Sequence, residues 1–225
     1  MSDRGRARGR LGRLTGDVVT WLWRHAERVA TIRADSRQAR RFAGFGEGTT
    51  IGFPPAVLHG VERITIGART MIGPHATLST GMLIPLHEGT DPILTIGERC
   101  VFGKGLSIVA HERIEVDDDV MCGPYVYITD QNHGYEDLSL PIGRQLWKNA
   151  PVSIGAGSWL GNGAIILPGT HIGSHVVVAA GAVVRGEIPD RCVVAGAPAR
   201  IVRRHVEGRG WVATDARGEP LPERP

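Results

Sequence analysis

Aromatic residues, cysteines and long apolar runs are all scarce in this chain. Aromatics make up 5% of 225 residues, against 31 glycines. That ratio disfavours a helix bundle and favours many tight turns around small aliphatic core positions. The three cysteines, Cys100, Cys122 and Cys192, are odd in number and lack CxxC spacing, so neither a disulfide framework nor a zinc site is expected. No apolar run approaches the length that crosses a bilayer. The Arg-rich start is not followed by the apolar core and cleavage site of a secretion signal. A reducing, cytoplasmic setting is the expectation. A basic stripe interleaved with aromatics is also missing from the body of the chain, so nucleic acid is not an expected partner.

What charge there is sits at one end. The net charge is +3, and residues 1–14 hold five arginines against Asp3. That segment carries +4, so the rest of the chain is close to −1. Residues 1–14 read as a basic flexible leader. Residues 15–45 read as the N-terminal helix segment. Thr15 is its N-cap, and Val18, Leu22, Ala26 and Val29 fall at helical spacing. Gly44 and Gly46 mark its end. The helix is expected to pack on its own domain or on a neighbouring subunit, and membrane contact through it is not expected. Residues 205–225, with Pro220, Pro222 and Pro225, read as a flexible tail.

Between these ends runs a six-residue rhythm. Ile66-Gly67, Ile72-Gly73 and Leu78-Ser79 open it. After an interruption at 84–93 it resumes in phase at Ile96-Gly97, Phe102-Gly103 and Ile108. A two-residue slip leads to Val116-Asp117, Cys122-Gly123 and Ile128. The loop 134–151 intervenes, and the beat returns from Ile154-Gly155 to Val184. A period of six marks a parallel β-helix; a helical face repeats near 3.6 and a lone strand near 2. Each anchor is expected to fill the core, with the following Gly relieving strain at the corner. Cys100 and Cys122 occupy inward slots and read as small core hydrophobes.

Four stretches carry a resemblance. They are Asp130-Gln131-Asn132-His133, Pro151–Gly155 running into Trp159-Leu160-Gly161, Ile166–Gly169, and Val194–Arg203. On these residues the chain resembles the hexapeptide-repeat acyltransferases, in the branch of galactoside, maltose, nodulation-factor and polysaccharide O-acetyltransferases. The resemblance implies an all-β solenoid, a left-handed parallel β-helix over 46–204, preceded by the α-helix and followed by an irregular tail. It also implies a homotrimer, acetyl-CoA as acyl donor bound between adjacent subunits, and a sugar or saccharide-like acceptor.

Counting from Ile128 places Asn132 in an inward slot and His133 outward on the next face, immediately before the long loop. His171 shares that outward phase, and the resemblance selects His133 as the catalytic base. A hydroxyl attacks a thioester only as its proton is removed, and histidine titrates near neutrality. By resemblance, Trp159 lies beside the pantetheine arm, and Gly161 and Asn162 supply a backbone donor for the oxyanion. Ala180 contacts the same arm, and Arg200 and Arg203 meet the CoA phosphates. Asp130, Asn132, Tyr135 and Trp147 are the expected acceptor contacts, with Asp130 alternatively holding His133. Where the galactoside enzymes carry an asparagine one coil earlier, this chain aligns Gly103-Lys104-Gly105, so the acceptor site is not a copy of theirs.

Other readings share the scaffold. An antibiotic or amino-sugar N-acetyltransferase would use the same base. A γ-type zinc carbonic anhydrase needs three histidines, and here only His171 and His175 are close in sequence. A non-catalytic trimeric scaffold would not need the Asn-His, Trp and Arg-x-x-Arg set. Serine acetyltransferase lacks its paired Asp and His motif here.

Overall fold

The computed structural model describes residues 3–81 and 91–222. Residues 1–2 of the leader, most of the interruption at 84–93, and Pro225 of the tail lie outside the described residues.

The rhythm winds into a three-sided solenoid. One face stacks, among others, Thr50–Ile51, Met71–Ile72, Val101–Phe102, Met121–Cys122, Trp159–Leu160, Val177–Val178 and Cys192–Gly196. The second stacks Val57–His59, Thr77–Thr80, Ser107–Ala110, Tyr127–Thr129, Ile165–Ile166 and Val183–Val184. The third stacks Gly44–Phe45, Ile64–Ile66, Leu94–Ile96, Ile114–Val116, Val152–Ile154, His171–Ile172 and Glu187–Ile188. Pairing between successive coils is parallel, as in Met121↔Trp159 and Ile108↔Ile128. All fifteen anchors from Ile66 to Val184 are buried. The core is one aliphatic column along the solenoid axis.

Most slots four residues after an anchor are also buried, Glu112 and Asn132 being exceptions among the described residues, and several carry hydroxyls. These hydroxyls stitch coils together. Thr70 Oγ1 donates to the Gly97 carbonyl (2.9 Å) and accepts from the Cys100 N–H (3.1 Å). Ser158 Oγ does the same with the Gly173 carbonyl (3.0 Å) and the Val176 N–H (3.1 Å). A buried corner would otherwise leave these backbone groups unpaired.

Burial raises the thiol pKa of Cys122 well above its ordinary value, and burial likewise raises those of Cys100 and Cys192. All three are therefore held as thiols, the unreactive form.

The glycine after each anchor has a different job from the one expected. The left-handed residue is the third after the anchor, as at Arg69 (φ 57°), Asp119 (φ 58°) and Gly157 (φ 68°). Gly67 is required by spacing: a Cβ there would sit 2.6 Å from the backbone carbon of Gly97 in the next coil.

The ends depart from the sequence reading. Helix α1 runs Asp3–Ala30, so residues 3–14 belong to it instead of to a flexible leader, consistent with the high helix propensity of Arg, Leu and Ala. It stops well before Gly44, because Ile32 is drawn into the core (2% exposed) and Ile32–Arg33 pairs antiparallel with Thr50–Ile51. The first coil starts at Gly44–Phe45, one coil earlier than the clear rhythm. At the other end, Ala199–Val206 and Gly210–Ala213 form an antiparallel hairpin that extends the first face. Arg204 Nε donates to the Gly218 carbonyl at 2.7 Å, and the Asp215 carboxylate accepts the N–H groups of Arg217 and Glu219. The tail is thus ordered through residue 222, because local turn bonds satisfy a Pro/Gly-rich stretch.

Candidate active site

The two-residue slip and the long loop turn out to be one construction. They lie in adjacent coils at the edge between the second and third faces. The slip makes a wide corner at 111–113, whose three N–H groups point inward. Asp130 is fully buried there. Its carboxylate accepts from His111 (2.8 and 3.1 Å), Glu112 (2.8 Å) and Arg113 (2.8 Å). A carboxylate bound to three backbone N–H groups is a structural clamp. Asp130 therefore neither faces an acceptor nor holds His133, contrary to both expectations.

The loop that follows is a hairpin. Gln131–His133 pairs antiparallel with Trp147–Asn149, in the register Gln131↔Asn149, Asn132↔Lys148 and His133↔Trp147. The Ala150 N–H closes its base on the Asp130 carbonyl at 2.8 Å. The chain has left the solenoid at this point, so Asn132 is exposed instead of inward. Its Oδ1 accepts the His133 N–H at 3.0 Å. His133 is exposed on the hairpin stem, not on a coil face. Tyr135 is exposed one residue beyond buried Gly134. The arm beyond is held by its own contacts: Gln145 Nε2 donates to the carbonyls of Asp137 (2.9 Å) and Leu140 (3.1 Å), and Lys148 pairs with Glu136. A shallow depression runs along it, lined in part by Gly134, Leu140, Arg144 and Leu146.

His111 was missed by the sequence reading. It is 3% exposed, at the wide corner beneath the hairpin base. Burial lowers its imidazole pKa from the ordinary 6.5; the Asp130 charge opposes this, and neighbouring His133 adds to it. Gly103-Lys104-Gly105, aligned with the asparagine of the galactoside enzymes, lie on a different edge from the hairpin. Those residues turn the edge between the first and second faces, where Lys104 Nζ lies 5.5 Å from the Tyr125 ring centroid. One coil before the hairpin, the edge carries His111-Glu112-Arg113. The slip itself was the available signal.

The other expected residues gather on the first face. Leu160 points into the core, so Trp159 points outward and is 47% exposed. In register, Trp159 stacks on Val177, Val177 on Val193, and Val193 on Arg203. A spacing of three residues normally puts Arg200 and Arg203 on opposite sides of a strand. Here a register shift between Val193 and Val194 breaks the alternation. Arg200 then pairs with Ala195 and Arg203 with Val193, two positions that share one side. Trp159, Arg203 and Arg200 thus share the outward side of one face. Three strand spacings separate Trp159 from Arg203, roughly 14 Å. Gly161, Asn162 and Ala180 turn the adjoining edge. Asn162 and Ala180 are exposed, and the Asn162 carbonyl accepts the Gly181 N–H at 2.9 Å. Gly161 cannot carry a side chain, since a Cβ would lie 2.6 Å from the Ala180 nitrogen.

In a three-sided solenoid, the edge between the second and third faces is opposite the first face. One chain therefore presents His133 on the side away from Trp159, Arg200 and Arg203. His171 and His175 are also separated: His171 Nδ1 lies 2.9 Å from Ser153 Oγ on the third face, while His175 turns the next edge with φ 56°. Among the described residues no group of three His, Cys, Asp or Glu side chains is arranged to hold a metal ion.

Residues 151–186 match the family described as bacterial transferase hexapeptide (six repeats). A probable acetyltransferase of Mycobacterium tuberculosis is 35% identical over 176 residues, which is 78% of this chain and 54% of that protein. The galactoside O-acetyltransferase of Escherichia coli is 30% identical over 124 residues, 53% of this chain and 58% of that protein. The chain thus spans about half the length of the curated relatives it matches. Among solved structures, the N-acyltransferase AntD from Bacillus cereus superposes with a TM-score of 0.65 at 18% identity, covering 76% of this chain and 88% of that one. Coil geometry, family match and relatives agree: the chain is a left-handed parallel β-helix that carries bacterial transferase hexapeptide repeats and is similar to acetyltransferases.

Proposed function

We propose that this protein transfers an acetyl group from acetyl-CoA to a hydroxyl of a sugar or saccharide-like acceptor. The observation that carries the reading is the phase correction at Val193/Val194, which sets both arginines beside the column that holds Trp159. Two guanidinium groups about three strands from an exposed indole suit a ligand with phosphates at one end and a thin apolar arm at the other. The galactoside O-acetyltransferase of Escherichia coli, among the relatives, supports the acceptor class.

His133 is the general base in this reading. Its imidazole takes the acceptor hydroxyl proton as oxygen attacks the thioester carbonyl. The tetrahedral oxyanion is met by a backbone N–H of the Gly161–Asn162 turn. The C–S bond then breaks, and the imidazolium returns its proton to the departing thiolate. No acyl-enzyme forms. Asn132 and Tyr135, exposed at the hairpin base, contact the acceptor, together with Trp147 on the paired strand. Because the base and the cofactor column lie on opposite sides of one chain, the site joins two subunits of a homotrimer: the hairpin of one meets the first face of its neighbour.

The test is an acceptor screen with acetyl-CoA, reading free thiol release. Turnover with saccharide hydroxyls and none with amino-sugar amines supports the reading. Turnover confined to amines assigns N-acetylation, and no turnover with any acceptor sinks it.

A further inference from the structure

Helix α1 is 28 residues long, Asp3–Ala30. It has no buried residue from Thr15 to Ala30. Its contact with the solenoid is at its C-terminal end, where the Trp23 ring lies 6.3 Å from that of Phe53, and Thr31 returns to the Glu27 carbonyl. Most helical stability in proteins comes from burying an apolar face. This helix also contains Gly5, Gly9, Gly12 and Gly16, each costing about 1 kcal/mol relative to alanine. Its stability must come from something that covers it.

The sequence of the helix says what. At helical spacing Val18, Leu22 and Val29 form one stripe, with Trp21 at its margin. They are 56%, 52%, 65% and 63% exposed. Trp23, which faces the solenoid, lies well off that stripe, so the body does not cover it. Beside the stripe run Arg24 and Arg28. Over the whole helix seven arginines face Asp3, Asp17 and Glu27, a net +4. A second copy laying its own α1 on this surface would bring two +4 helices together, so charge argues against helix-to-helix pairing. An anionic surface with an apolar layer beneath its charges matches both sides of the helix.

We propose that α1 lies flat on an anionic lipid surface, with Val18, Leu22 and Val29 in the acyl boundary and Arg24 and Arg28 at the phosphates. This revises the expectation that α1 packs on its own domain. It is a peripheral contact, since no helix among the described residues is long and apolar enough to cross a membrane.

Flotation of the full chain with vesicles of phosphatidylcholine alone, or of phosphatidylcholine with phosphatidylglycerol, tests it. Binding is expected to the second and to be lost at high salt. Arg24→Ala with Arg28→Ala should weaken binding about thirtyfold, a factor of about five for each charge near the surface. Leu22→Asp should abolish it, with thiol release and oligomeric mass unchanged. Failure to float with either vesicle would overturn the proposal. So would Leu22→Asp changing the oligomeric mass, which would make the stripe a subunit contact.

Discussion

Two edges of the solenoid are built on opposite rules. Between the first and second faces, the chain turns in minimal corners, at 103–105, 123–125, 161–163 and 179–181, each stacked on the last. Gly161 shows how tight that stacking is, since no Cβ fits there. Between the second and third faces, the described residues break the period as a wide corner at 111–113 and as the hairpin after Asp130. The regular side can offer backbone atoms and a flat column of side chains, which suits holding one invariant ligand. The irregular side carries polar side chains away from the solenoid on a hairpin, which suits chemistry and acceptor choice.

Variants can break this contrast. His133→Ala should lower kcat by roughly 10²–10⁴ while leaving thermal stability and acetyl-CoA affinity unchanged. A wild-type kcat, measured by thiol release, would remove His133 from the chemistry. Asp130→Ala leaves three backbone N–H groups without their acceptor, and should cost about 2–4 kcal/mol of stability. Denaturant titration checks this, and an unaltered midpoint would mean that the clamp is not structural. Arg203→Ala should raise the KM for acetyl-CoA about tenfold with little change in kcat. A fall in kcat alone would move Arg203 from the cofactor column to the reacting centre.

The smallest effect concerns His111. Its folded pKa lies below the ordinary 6.5, so the unfolded chain takes up a proton that the folded one refuses. Stability is fully present above the unfolded value near 6.5 and is lost as pH falls towards the depressed folded value. Melting temperature should therefore fall less for His111→Gln than for the wild type between neutral pH and pH 5. Equal slopes would contradict the assignment.

The solenoid was legible because its residues repeat one local decision. Ile72, Phe102 and Cys122 each fill the same slot, and any window of the sequence shows it. The roles expected of Trp159, His133 and the two arginines came from the resemblance, and no local pattern singles them out. What was not legible depends on contacts between distant coils. Counting by six from Ile128 put Asn132 inward, because the count cannot tell that the chain exits after Asp130. Asp130 read as an acceptor contact or as the holder of His133, and its partners at 111–113 lie one coil away. Pro220 and Pro222 hid a tail whose order comes from Asp215 and Arg204. Helix α1 was extended to Gly44 because nothing local announces that Ile32 is claimed by the core.

The claim that one site is shared between opposite sides of neighbouring chains is tested most directly by complementation. His133→Ala chains and chains carrying Trp159→Ala with Arg203→Ala are co-expressed under different tags, and the doubly tagged oligomers are assayed by thiol release. Each parent should be nearly inactive at low acetyl-CoA, while the mixed oligomers recover up to about a third of wild-type activity, from the one interface in three that pairs an intact hairpin with an intact first face. Mixed oligomers no more active than their parents would place the base and the cofactor column in the same chain.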